Sequence, residues 1–155
     1  MQGTRVLVTG GAGFIGSHLV EHLGARNEVV VLDDLSTGSL RNLETVPREV
    51  RVKRASILNR KTLATAMQGT DLVYHLAAKT SVPDSVAHPE AYWRTNVQGT
   101  LGVLKAAVDA KVRRVVFASS AAVYGNSEMN PKVETTRPAP ASPYATSGLV
   151  EGRTR

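Results

Sequence analysis

A glycine-rich junction near the N-terminus constrains the fold of this 155-residue chain more than any other feature. Before it, Val6-Leu7-Val8 is a short apolar run of the kind found in buried parallel strands. After it, residues 14–25 place apolar side chains at helical spacing. Glycines at such a junction permit a tight turn, a close approach of backbone N–H groups to a pyrophosphate, and close packing of the helix on the sheet. The predicted phosphate cradle comprises Gly10, Gly13, Phe14, Ile15 and Gly16.

Strand and helix patterns alternate along the rest of the chain. Further strands are predicted at residues 28–33, 50–53, 71–76 and 115–118, and helices at 62–67 and 89–110. A last helix is expected to begin at Tyr144, with no room to develop. This order indicates an α/β fold with a doubly wound parallel sheet, the Rossmann arrangement, truncated after the fifth strand. We expect one dinucleotide-binding domain over residues 1–155, because 42% hydrophobic and 21% charged residues are typical of a globular domain.

An aspartate ends the second predicted strand. Asp33 lies near the position at which dinucleotide-binding folds bind the adenosine ribose hydroxyls with an acidic side chain. A carboxylate there repels a 2′-phosphate, and the next residue is Asp34 rather than a lysine or an arginine. The pair therefore favours NAD over NADP, while a simple capping role for Asp33 remains an alternative.

Charge and composition argue against several other classes of protein. The net charge of +6 comes from scattered basic residues, and only 5% of residues are aromatic, so a stacking surface for nucleic acid is not expected. The sequence has no cysteine, and its four histidines are dispersed, so we expect no disulfide and no metal centre. No apolar run is long enough to span a bilayer, and no leader pattern precedes the first strand. A cytoplasmic protein with no membrane partner is the expectation.

Six short motifs extend these local patterns over almost the whole chain. They are TGGAGFIG at residues 9–16, LDDLSTG at 32–38, HLAA at 75–78, NVQGT at 96–100, SSAAVYG at 119–125 and SPY at 142–144. In these motifs the chain resembles the extended short-chain dehydrogenase/reductase family, and within it the UDP-sugar 4-epimerases. The resemblance implies NAD as the cofactor and a nucleotide sugar, a UDP-hexose, as the substrate.

The resemblance also implies which residues contact the cofactor. The loop after the second strand is expected to wrap the adenosine, and the residues after the fourth strand are expected to pass beside the nicotinamide. Asn96 is expected near the active site, with a purely structural hydrogen-bonding role as the alternative. The family usually has an acidic residue against adenine where this chain has Ser56, so that contact is expected to be weaker. Beyond the glycine cradle, the implied contacts are Asp33, Asp34, Ser36, Thr37, Gly38, Ser56, Ile57, Leu76, Ala77, Ala78 and Asn96.

Two residues match the catalytic pair of the family. Ser120 corresponds to the serine that hydrogen-bonds the sugar 4-hydroxyl, and Tyr144 corresponds to the general base. The implied reaction interconverts UDP-glucose and UDP-galactose through a 4-keto intermediate. A nucleotide-sugar dehydratase needs an added acid and base directly after the serine position, and this chain has Ala121 and Ala122 there.

Position 148 departs from the family pattern. A lysine four residues after the tyrosine favours the phenolate and commonly holds the nicotinamide ribose, but this chain has Gly148. Its loss is expected to lower turnover by about a hundredfold to ten-thousandfold. We also expect the substrate domain of the family to be absent and this chain to be weak or inactive alone. The family forms a homodimer through the long fourth helix and the helix after Tyr144, and we do not expect that dimer here because the latter helix is cut short.

Two further interpretations stay open. Beside the 4-epimerase, one alternative is a non-catalytic NAD-binding module, such as a redox sensor. The other alternative is a related nucleotide-sugar dehydratase or reductase.

Overall fold

A five-stranded parallel sheet is the frame of the structure, a computed structural model that describes residues 2–127 and 130–153. The strands are β1 (Arg5–Thr9), β2 (Glu28–Asp33), β3 (Arg51–Arg54), β4 (Leu72–His75) and β5 (Arg114–Phe117). They lie in the order β3-β2-β1-β4-β5, and every neighbouring pair is parallel. The direction of strand addition reverses at β1, where sheets of this kind bind ligands at the carboxyl ends of the strands. The predicted doubly wound Rossmann sheet is confirmed.

Helical segments connect the strands, and the longer ones follow the sequence pattern. They are α1 (Phe14–Gly24), α2 (Arg60–Met67), α3 (Val82–Ala87), α4 (Pro89–Tyr92), α5 (Gly99–Asp109) and α6 (Pro143–Arg153). A π-helical segment, Trp93–Gln98, joins α4 to α5, and two 3₁₀ helices span Leu40–Leu43 and Ala121–Tyr124. The helix predicted over residues 89–110 is therefore one helical run with a π-helical segment inside it.

The last helix is longer than the sequence led us to expect. The prediction that a helix at Tyr144 has no room to develop was wrong, since α6 has 11 residues. Ser142 holds its first turn: the Oγ accepts from the Ala145 N–H at 3.1 Å, and the carbonyl accepts from the Thr146 N–H at 2.9 Å. A capped first turn and packing against neighbouring elements offset the cost of nucleating a short helix.

The short helix α3 was not predicted. Ser81 caps it by accepting a hydrogen bond from the Asp84 N–H at 3.3 Å, and Pro83 occupies its first turn, where a missing N–H carries no penalty. Six residues are too few to show a helical repeat of apolar side chains, so the cap and the proline were the available signals.

Residue contacts divide the chain into two units. The first runs up to Ala77 and resumes from Thr100 to Ala118, and it contains the whole sheet. Its apolar side chains cover both faces of the sheet, because alternate residues of β1 belong to two different clusters. One cluster contains Leu7, Leu63, Met67 and Val103, and the other contains Val6, Val8, Val20 and Leu23. Burial on both faces explains why the strands read as apolar runs rather than as alternating patterns.

The second unit consists of residues 78–99 and the chain from Ser119 onward. Within it α6 contacts α3, α4, the π-helical segment and the 3₁₀ helix Ala121–Tyr124. Tyr92, Asn96 and Ser147 are buried there. Across both units, none of the helices in the described ranges combines the length and the hydropathy that a membrane span requires.

Candidate functional site

The glycine turn after β1 has a backbone that no larger residue can reproduce. Gly10 has φ +72°, and its N–H donates to the Leu32 carbonyl at 2.9 Å. A Cβ on Gly10 would lie 2.6 Å from the backbone N of Ala77, and a Cβ on Gly16 would collide with the Gly10 carbonyl oxygen. The turn, the end of β4 and the first turn of α1 are therefore in backbone contact, as the strand–glycine–helix pattern predicts.

In the part of the chain that the structure describes, no side chain caps the start of α1. Its N-cap, Gly13, has no side chain to cap it, and the first N–H groups of a helix have no intrahelical acceptor. Phe14 and Ile15 are 79% and 67% exposed. With the positive end of the helix dipole, this first turn has the properties of a phosphate-binding site.

Asp33 links β2 to the glycine turn. Its side chain is 8% exposed, and Oδ2 accepts from the Ala12 N–H at 2.9 Å while Oδ1 accepts from the Leu35 N–H at 2.8 Å. These bonds hold the glycine turn and the start of the following loop, and neither of them caps a helix. Each carboxylate oxygen can accept a second hydrogen bond, so two ribose hydroxyls can still be bound.

The loop after Asp33 is tied back to the same turn through Ala12. The Ser39 N–H and the Asn42 Nδ2 both donate to the Ala12 carbonyl, at 3.0 and 2.8 Å. A Cβ on Gly38 would lie 2.8 Å from the Ala12 carbonyl carbon. Asp34 shapes the loop itself by accepting from the Ser36 N–H at 2.9 Å. Ser36 and Thr37 are exposed on it.

The sequence patterns did not predict this role of Asn42. Its position three residues after Ser39, the cap of the 3₁₀ helix Leu40–Leu43, is the only local signal, and that spacing does not reveal a partner 30 residues away.

The two implied cofactor contacts that follow β3 differ in their surroundings. Ser56 is half-buried, and its Oγ accepts from the Leu58 N–H at 3.3 Å. Ile57 is 4% exposed and its side chain belongs to a hydrophobic core cluster. A ligand contact at Ile57 would therefore have to use its backbone.

A buried histidine holds the end of β4. His75 is 1% exposed, with Nδ1 2.6 Å from the Thr9 Oγ1 and Nε2 2.8 Å from the Thr100 Oγ1. Burial lowers the pKa of His75 to about 4, so the ring is neutral at neutral pH. Thr9 Oγ1 also accepts from the Ala77 N–H at 3.4 Å. This network fixes the Leu76-Ala77 backbone at the end of β4.

The second unit carries both predicted catalytic residues. Ser120 is half-buried and caps the 3₁₀ helix Ala121–Tyr124, because its Oγ accepts from the Ala122 N–H at 3.2 Å. Tyr144 is half-buried in the first turn of α6, with its ring edge-to-face against Tyr92 at a centroid distance of 6.4 Å. Because α6 contacts that 3₁₀ helix, the elements that bear the two residues are neighbours.

A hydrogen-bond network braces the turn of α6 that bears Tyr144. Asn96 is 1% exposed; its Oδ1 accepts from the Lys79 N–H at 2.8 Å, and its Nδ2 donates to the Lys79 carbonyl at 3.0 Å. The Nδ2 also donates to the Ser147 Oγ at 2.9 Å, and that hydroxyl donates to the Tyr144 carbonyl at 2.8 Å. Both amide protons of Asn96 are therefore used within the protein, which supports the structural alternative for this residue. Ala78 precedes Lys79 and is half-buried.

Gly148 lies one turn after Tyr144 and is buried. A Cβ there would meet the Val123 Cγ1 at 3.5 Å, which is ordinary van der Waals contact. The backbone thus does not require glycine at this position.

Comparison with known proteins agrees with this geometry. The profile of the NAD dependent epimerase/dehydratase family matches residues 6–150. The UDP-glucose 4-epimerase of Streptomyces lividans is 44% identical over 150 residues, which cover 94% of this chain and 45% of that protein.

Two solved structures are each similar over 96% of this chain and 49% of their own. One is the UDP-glucose 4-epimerase of Thermus thermophilus in complex with NAD, at 42% identity and TM-score 0.88. The other is DesIV, a dTDP-glucose 4,6-dehydratase of Streptomyces venezuelae with NAD bound, at 41% identity and TM-score 0.91. The chain spans about half the length of the relatives it matches. The profile match over most of the sequence, on a sheet of the expected strand order, shows that the chain belongs to the NAD dependent epimerase/dehydratase family.

Proposed function

We propose that this chain is the NAD-binding domain of a nucleotide-sugar 4-epimerase. The observation that carries the proposal is the set of hydrogen bonds at Ala12. They join Asp33 and the loop that follows it to the glycine turn. These bonds bring the carboxylate that would bind the ribose and the N-terminus of α1 together within one unit. The NAD-bound relatives with similar folds support the same cofactor.

The chain's own residues divide the work of binding the dinucleotide. The free N–H groups at Phe14 and Ile15 would hold the pyrophosphate, and Asp33 would accept from the ribose hydroxyls. The negative charges of Asp33 and Asp34 disfavour a 2′-phosphate, so NAD is favoured over NADP. When bound, NAD supplies the hydride acceptor for oxidation at C4 of the sugar.

Ser120 and Tyr144 would act on the sugar 4-hydroxyl of a UDP-hexose. In this role the Ser120 hydroxyl hydrogen-bonds the sugar, and the Tyr144 oxygen takes the 4-hydroxyl proton. A 4-epimerase needs no further acid or base, whereas the dehydratase alternative does. Ala121 and Ala122 carry only methyl groups, which favours epimerisation even though a dehydratase is among the structural neighbours.

A second candidate function is NAD binding without turnover. Gly148 favours it, because no ammonium group follows Tyr144 on the next turn of α6. Both candidates predict NAD binding, and they differ in catalysis alone.

Two measurements test the proposal. Calorimetric titration of the purified chain with NAD and with NADP should give the tighter dissociation constant for NAD. Equal affinity or no binding would contradict the proposed cofactor. Interconversion of UDP-glucose and UDP-galactose then separates the candidates, followed by chromatography over long incubations in this chain joined to the remaining half of the Streptomyces lividans relative. Slow turnover supports the epimerase, and NAD binding without turnover supports the module.

A further inference from the structure

Both backbone polar groups of Ala12, the N–H and the carbonyl, are hydrogen-bonded within the protein. Ala12 is fully buried, and its N–H donates to Asp33. Its carbonyl accepts both the Ser39 N–H and the Asn42 Nδ2, so both lone pairs are used. The N–H of the same peptide plane, on Gly13, donates to the Gly10 carbonyl at 3.2 Å.

The orientation of this peptide plane determines where the next backbone N–H groups point. The plane between Ala12 and Gly13 directly precedes the first turn of α1, where the N–H groups of Phe14 and Ile15 begin. Rotation of the plane would turn those groups away from a common anion. Asn42 supplies the one side-chain hydrogen bond to the Ala12 carbonyl among those found in the described residues.

We propose that Asn42 is a positioning residue for the dinucleotide. Its hydrogen bond to Ala12 holds the glycine turn against the loop after Asp33 before the ligand binds. The proposal rests on the proposed NAD-binding function and goes beyond it, since no contact between Asn42 and the ligand is needed. Preorganisation of this kind raises affinity because the ordering cost is met in the free protein.

The competing interpretation is that Asn42 stabilises the fold and nothing else. Asn27 offers a matched control for it. Its Nδ2 donates to the Leu23 carbonyl at 3.0 Å, so it makes the same kind of bond. Asn27 precedes the amino end of β2, however, whereas Asp33 ends the same strand.

The test compares wild type, Asn42→Ala, Asn42→Asp and Asn27→Ala by calorimetric titration with NAD and with ADP. Asn42→Asp keeps the size of the side chain but removes the donor. We expect both Asn42 variants to raise the dissociation constant about three- to tenfold, the worth of one neutral hydrogen bond, for both ligands. Asn27→Ala should stay within about twofold of wild type, because its bond lies away from the turn.

Amide hydrogen exchange of the ligand-free proteins provides a second readout. Residues 10–17 should exchange faster in the Asn42 variants and not in Asn27→Ala. Unchanged NAD affinity with unchanged exchange in both Asn42 variants would overturn the positioning role and leave the NAD proposal standing. An equal loss of affinity in Asn27→Ala would also overturn it, since the effect would then be one of general stability. Failure of the wild type to bind NAD would overturn both proposals.

Discussion

Replacing Gly148 with lysine is the most demanding test of the catalytic half of the site. Positions 144 and 148 are four residues apart on α6, so their side chains share one face of the helix. The substituted Cβ would meet the Val123 Cγ1 at 3.5 Å, and no backbone atom lies within 4 Å beyond the helix's own. We therefore expect Gly148→Lys to fold.

Gly148→Lys is expected to change two quantities, the stability of the fold and the turnover. Exchanging glycine for lysine inside a helix stabilises it by about 0.5–1 kcal/mol through backbone entropy and helix propensity. In a chain of this size that raises the melting temperature by about 1–4 °C. An ammonium beside the phenol also favours its anion, and we expect turnover to rise by about a hundredfold or more.

A substitution at a second glycine on the same helix separates the effect on stability from the effect on turnover. A Cβ on Gly152 would have no atom within 4 Å, and this residue lies two turns beyond Tyr144. Gly152→Lys adds the same side chain and the same charge, so it should change stability similarly and leave turnover unchanged. Gly148→Ala tests the effect of the added Cβ without a charge.

The assay is UDP-glucose/UDP-galactose interconversion together with NAD titration of all four proteins, each extended to family length with the remaining half of the Streptomyces lividans relative. Because the family's lysine commonly holds the nicotinamide ribose, Gly148→Lys should also tighten NAD binding while leaving ADP binding unchanged. If Gly148→Lys and Gly152→Lys match the wild type in turnover and in NAD affinity, the assigned role of the missing lysine is refuted.

Three other substitutions give sharp expectations. Asp33→Asn should lower the preference for NAD over NADP about tenfold, read from paired titrations, because a neutral amide no longer repels the 2′-phosphate. The pKa of His75 is 6.5 in the unfolded chain and about 4 in the folded chain, so the unfolded chain binds the proton first as the pH falls. The free energy of unfolding should therefore fall by about 3 kcal/mol as the pH drops from 6.5 to about 4. Denaturant titrations at several pH values should show this slope and its loss in His75→Gln; an unchanged slope would contradict the neutral buried ring. Ser147→Ala should destabilise the fold by about 1–2 kcal/mol, since a buried Asn96 proton loses its acceptor, whereas Thr146→Ala should cost less at its exposed site.

Local patterns predicted the frame of the fold well. The strands were found because runs such as Val29-Val30-Val31-Leu32 are buried on both faces, and the glycine turn was found because its backbone admits no Cβ at Gly10. These signals are contained in a few adjacent residues.

Features that depend on distant partners escaped prediction. The bond from Asn42 to Ala12 and the bracing of Asn96 against Lys79 join segments far apart in the sequence, so no local spacing reveals them. The π-helical segment around Asn96 also escaped prediction, since an ordinary helical repeat gives no reason for it. Ile57 was placed among the cofactor contacts by family position, while its side chain belongs to the core.

The interleaving of the two units has a consequence for biosynthesis. The ribosome releases β1, β2 and β3 first, yet β1 is the central strand and its other neighbour, β4, emerges later. Until Leu72–His75 leaves the exit tunnel, a strand of buried valine and leucine has one open hydrogen-bonding edge. The sheet is complete only after β5 (Arg114–Phe117) has left the tunnel and paired with β4. By then residues 78–99 of the other unit have already emerged. Nascent chains paused between these points should therefore be the most prone to aggregate.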